Sequence, residues 1–136
     1  MIKKLFLLVV IAAFVAGCAT LPKTTRTGAI HELKIEETLS NANLNVQIGD
    51  EIRWVNYRTG SVTIEFTPEI VYSFGCTNGF AGAFGKLRAF TSLRAGESAS
   101  LCFSKSGIYK YNVRMTASVP GGEIIVPAVI EVVATQ

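Results

Sequence analysis

From Ala29 to the C-terminus the chain is built of short β-type runs separated by turn residues, and no stretch keeps a helical period. Alternation puts every second side chain on one face of an extended strand, so such runs need a second sheet to cover them. Ile30-His31-Glu32-Leu33-Lys34-Ile35-Glu36 alternates loosely. Leu44-Asn45-Val46-Gln47-Ile48 alternates cleanly, turns at Gly49-Asp50 and resumes as Glu51-Ile52-Arg53-Trp54-Val55-Asn56. Val62-Thr63-Ile64-Glu65-Phe66 follows Thr59-Gly60 and halts at Pro68. Ser98-Ala99-Ser100-Leu101-Cys102-Phe103 turns at Ser106-Gly107 into Ile108-Tyr109-Lys110-Tyr111-Asn112-Val113. The chain closes with two runs, Ile124-Ile125-Val126 and Val129-Ile130-Glu131-Val132-Val133. Strands at this spacing predict an all-β Greek-key sandwich over residues 29–136.

The N-terminus follows different rules. Lys3 and Lys4 precede an uninterrupted apolar stretch over residues 5–15, of secretory length and short for a permanent membrane span. It ends in Val15-Ala16-Gly17-Cys18, which resembles the lipobox of bacterial lipoproteins. The resemblance implies a signal peptide over 1–17, cleavage before Cys18, a diacylglyceryl group on its sulfur and an acylated new amine. A cytosolic helix with a buried Cys18 is the bland alternative. A multiply acylated cysteine anchors stably, because each buried methylene contributes about 0.8 kcal/mol. Ala19, where aspartate would signal retention in enterobacteria-like lipoproteins, points to the outer membrane, with the domain facing the periplasm. The segment Ala19-Thr20-Leu21-Pro22-Lys23-Thr24-Thr25-Arg26-Thr27-Gly28 has no hydrophobic period and reads as a tether. Extended, those residues reach roughly 35 Å.

Two of the 13 basic residues are Lys3 and Lys4, so the mature chain sets 11 basic against 10 acidic side chains. A balanced surface lacks the basic patch that nucleic acid requires. With Cys18 acylated, Cys76 and Cys102 remain, and two cysteines outside the cytoplasm tend to pair. Two buried free thiols are the alternative. The pair does not have Cys-x-x-Cys spacing, so neither a thioredoxin-type redox site nor a zinc knuckle is indicated.

The run from Val46 through Gly49-Asp50 to Trp54-Val55-Asn56 resembles the strand–turn–strand opening of cupredoxins, the plastocyanin and azurin type. So does Leu93-Arg94-Ala95-Gly96-Glu97-Ser98, followed by Phe103, Ser106-Gly107-Ile108-Tyr109 and Tyr111. The resemblance implies that Gly49-Asp50 turns the chain between core strands and that Trp54 fills the sandwich. It also implies that the Gly-x-Tyr-x-Tyr strand leads toward a metal loop. An unrelated immunoglobulin-like sandwich is the other architecture these runs admit.

The copper chemistry does not come with the resemblance. A type 1 centre needs two imidazoles and a thiolate, usually with an axial methionine. The family's first histidine falls near Ser61 or Val62 here, and its cysteine falls at Val113. No histidine follows among residues 114–119, and Met115 precedes the axial position. His31, the single histidine, lies in the first run, where an edge or half-exposed place is expected. One imidazole also leaves no histidine-based acid–base pair and no Ser-His-Asp set. Asp50 and Glu51 read as solvated turn charges, and Glu36-Glu37 as a paired surface charge. No metal, cofactor or catalytic residue is therefore expected.

The segment least like a plain sandwich is Phe74-Gly75-Cys76-Thr77-Asn78-Gly79-Phe80-Ala81-Gly82-Ala83-Phe84-Gly85, with three phenylalanines, four glycines and no charge. Its rings could fold back over one end of the sandwich, pinned by Cys76. Alternatively, some stay exposed as a contact patch for a partner or membrane. The expected function is a lipid-anchored envelope binding or assembly module with a copperless cupredoxin-like domain, a subunit or accessory of an envelope complex. The runner-up is a redox or metal-handling protein using Cys76, Cys102 or Met115 outside the family site.

Overall fold

A computed structural model describes residues 28–135; the leader 1–17, Cys18 and nearly all of the tether lie outside the described residues. The strands are β1 (Ile30–Ile35), β2 (Asn43–Gln47), β3 (Glu51–Asn56), β4 (Val62–Phe66), β5 (Phe74–Asn78), β6 (Phe90–Leu93), β7 (Ser98–Phe103), β8 (Gly107–Thr116) and β9 (Glu123–Val133). They form a four-stranded sheet ordered β1-β3-β7-β5 and a five-stranded sheet ordered β2-β9-β8-β4-β6. β1 with β3 and β2 with β9 pair in parallel, and the other neighbours are antiparallel.

The Gly49-Asp50 turn carries the chain from one sheet to the other. Gly49 has φ 87°, a conformation that a Cβ would strain, and its N–H donates to Phe103 O at 3.1 Å. Asp50 does not face water. Its carboxylate accepts from Gln47 N at 3.0 Å and meets His31 Nε2 at 2.9 Å, while Glu51 accepts from Arg53 at 2.8 Å. The expectation of solvated turn charges is thus corrected. A turn between two sheets lies against β1 and is covered, so its carboxylates are buried and satisfied.

Trp54 is fully buried and sits at the centre of the aromatic core. Edge-on contacts join it to Phe66 at 6.1 Å, Phe80 at 5.9 Å and Tyr111 at 5.6 Å. Its indole N–H donates to the Tyr111 hydroxyl at 3.3 Å. Leu33, Ile35, Ile52, Ile64, Leu101, Val113 and Ile130 fill in around the rings from alternate strand positions.

The strands differ from the sequence reading at several places. The closing pair of runs is one strand, β9, continuous through Pro127. Val129 N donates to Ala42 O, so residue 127 points its nitrogen the same way, past the end of β2, where no ladder acceptor is lost. β5 and β6 lie outside the runs that the sequence marks as strands, yet both are strands. A register shift between Phe74 and Cys76 breaks the alternation of β5, and β6 is four residues long, with only Thr91 and Leu93 inward.

Candidate functional site

At the end of the sandwich where β4 begins, Val62 lies opposite Met115, and Ile64 opposite Val113. Val62, Val113 and Met115 are all fully buried in apolar packing. These are the positions where the resemblance would place or approach copper ligands, and they supply one thioether, no imidazole and no thiolate. His31 stands beside Ile52, whereas that end is marked by Asn56, about 13 Å further along β3 at 3.3 Å per residue. The residues present do not fit a type 1 copper centre. Among the described residues, no three His, Cys, Asp or Glu side chains gather into a possible metal cluster.

Hydrogen bonds hold that end together. Asn56 Nδ2 lies 2.9 Å from Gly60 O, 3.1 Å from Leu93 O and 3.0 Å from Arg94 O. Its Oδ1 accepts from Arg58 N at 2.9 Å. The Arg58 guanidinium donates to Glu36 O and Thr116 O, both at 2.8 Å, while its Nε is buried without an acceptor. One amide and one guanidinium therefore join β1, β3, β6 and β8 where they leave the core. Sequence reasoning missed both residues; an asparagine ending a strand ahead of a glycine turn was the available signal.

Cys76 and Cys102 form a disulfide, their Cα atoms 5.0 Å apart as direct cross-strand partners of β5 and β7. Neither sulfur is a free thiolate, and Met115 is buried, so the donors named for a non-family metal site do not converge.

The three phenylalanines of the glycine-rich segment part company. Phe74, on β5, is half-buried and meets Phe66 at 6.2 Å and Phe103 at 6.1 Å. Phe80 has no exposed surface and closes the open side between β5 and β6, against Trp54 and Phe74. It belongs to the core, so the contact patch left open in the sequence does not include it. Phe84 is fully exposed. It sits at the tip of a small hairpin in which Arg88 N donates to Phe80 O at 2.8 Å and Gly82 N to Lys86 O at 2.7 Å. Its φ of 60° is left-handed, rare for a bulky residue and a mark of local strain. Leu87 and Phe90 are also exposed, and the Arg88 guanidinium lies 4.9 Å from the Phe90 ring centroid.

With sheets, core and turn in place, the chain can be set beside known proteins. No family model and no curated protein matches its sequence. Among solved structures it is similar to the Cu(I) form of a methionine-to-alanine mutant of amicyanin and to the oxidised state of a proline-to-alanine mutant of amicyanin. Each is 20% identical with a TM-score of 0.50, across 77% of this chain and 82% of the other. The fold is cupredoxin-like. At that identity the likeness is one of architecture, and it leaves the positions of Val62, Val113 and Met115 with the apolar chemistry described above.

Proposed function

We propose that this protein is a lipid-anchored binding or assembly module of the bacterial cell envelope, a subunit or accessory of an envelope complex that uses a cupredoxin-like domain without copper. The anchor is the lipid on Cys18, and the domain stands off the outer membrane on the periplasmic side. The observation that carries a contact role is Phe84, a fully exposed ring held in a strained conformation at a loop tip. Nothing in the core uses that ring, and strain of this kind concentrates where a segment acts on something outside its own fold. The described residues offer one histidine, engaged with Asp50, and a closed disulfide, which favours contact over catalysis.

The anchor is tested with Cys18→Ala. The wild-type protein is expected in the membrane fraction, shortened by the leader and heavier by its acyl chains on intact-mass measurement. The variant is expected to keep its leader. A variant that is still cleaved at this site and held in the membrane as the mature form would refute the lipid-anchored reading.

A further inference from the structure

We infer that the hairpin over residues 81–90 is a second membrane contact, seating on the anionic phospholipid headgroups of the bilayer that holds the anchor. The inference rests on the lipid-anchor reading and names the partner of the exposed loop.

Four observations carry it. No acidic residue occurs between Glu69 and Glu97, while Lys86, Arg88 and Arg94 do. Among the described residues, neither Lys86 nor Arg88 forms an ion pair with a carboxylate, so both charges are available to an anionic surface. Phe84, Leu87 and Phe90 expose apolar surface on the same short hairpin, interleaved with those cations. Three of the hairpin's N–H groups are satisfied within it, Gly82 N by Lys86 O, Gly85 N by Gly82 O and Arg88 N by Phe80 O, so entry into the headgroup region strands none of these three.

The size of the patch decides between a membrane and a protein. A stable protein interface covers about 800 Å² on each partner and centres on well-packed anchors. Phe84, Leu87, Phe90 and the two cations all belong to one hairpin over residues 81–90, far fewer than the roughly 20–30 residues such an interface uses on each side. The patch matches interfacial insertion, in which an aromatic ring enters the acyl boundary and basic side chains stay at headgroup level.

The contact can also be weak and still hold. Residues 19–28 can reach at most roughly 35 Å when extended, and a second contact linked over so short a distance acts at an effective concentration in the millimolar range. The hairpin springs from the β5–β6 side, and the N-terminus enters at β1, the opposite edge of the same sheet. Those edges are three strand spacings apart, about 14 Å, and the four residues from Phe80 to Phe84 add at most roughly 13 Å, a total within the tether's extended reach. Both contacts can therefore rest on one bilayer, turning a leashed domain into an oriented one.

The probe is the full lipidated chain carrying Phe84→Trp, reconstituted into vesicles of neutral phosphatidylcholine alone or with phosphatidylglycerol. Trp54, buried in the core, reports that the domain stays folded. With phosphatidylglycerol the new indole is expected to shift its emission to the blue and to be quenched by brominated acyl chains. High salt, or Lys86→Glu with Arg88→Glu, should reverse both effects. Protein that floats with the anionic vesicles while the indole stays water-exposed overturns the inference and leaves the anchor standing. Shielding that appears only when envelope proteins are added overturns it as well, in favour of a protein partner. Protein that fails to float with any vesicle overturns the anchor reading, and with it the inference.

Discussion

Phe80 and Phe84 are four residues apart and meet opposite environments, so truncating them should have opposite consequences. Phe80→Ala removes a ring packed on Trp54 and opens a cavity, at a cost of about 3–5 kcal/mol. Phe84→Ser deletes exposed surface only and should change stability by about 0.5 kcal/mol or less. Phe84→Gly relieves the left-handed backbone and should leave the domain as stable or up to about 1 kcal/mol more so. Denaturant titration of the three variants reads all of this, and a large loss for Phe84→Ser would place that ring in packing. A second residue reports on pH. Burial raises the Tyr111 hydroxyl from 10.0 to about 12, partly offset by the Trp54 hydrogen bond. The unfolded chain therefore gives up this proton first, so the contribution is fully present below pH 10 and disappears as pH rises toward 12. It amounts to about 2–3 kcal/mol, and Tyr111→Phe should flatten that part of the stability–pH curve.

The strands that alternate cleanly were legible because a half-buried strand must alternate: β3 and β4 have the boundaries their residues suggest, and β7, buried continuously from Ala99 to Phe103, was legible as a short run ended by the Ser106-Gly107 turn. β5 and β6 were not, since a bulge disrupts one and the other has too few residues for a period to show. The glycine-rich segment was harder still. Whether a ring in a loop turns inward depends on an open side between two edge strands, and no local pattern encodes that gap. The disulfide between β5 and β7 closes a loop with a sequence separation of 26. In the loop-entropy model it stabilises by about 3–4 kcal/mol, so replacing both cysteines by alanine should lower the denaturant midpoint accordingly. Intact mass before and after reduction should differ by the two hydrogens of one bond. Alkylation of both thiols without reductant, in protein taken from the envelope, would contradict the pairing.

At the scale of the whole molecule, the sandwich is cupredoxin-like, and the end where the sequence resemblance would place copper ligands is closed with Val62, Val113 and Met115 and tied by Asn56 and Arg58. Those apolar positions were readable in the sequence because ligand chemistry depends on residue type. The polar ties were not, because they join strands distant in the chain. The most direct measurement is a copper titration of the purified protein, followed by visible absorption and thermal unfolding. Charge transfer in blue centres needs a cysteine thiolate and two imidazoles around the metal. The account predicts no intense visible band and no rise in the unfolding temperature as copper is added. Stoichiometric binding with a thiolate-to-copper band and a stabilised domain would contradict it.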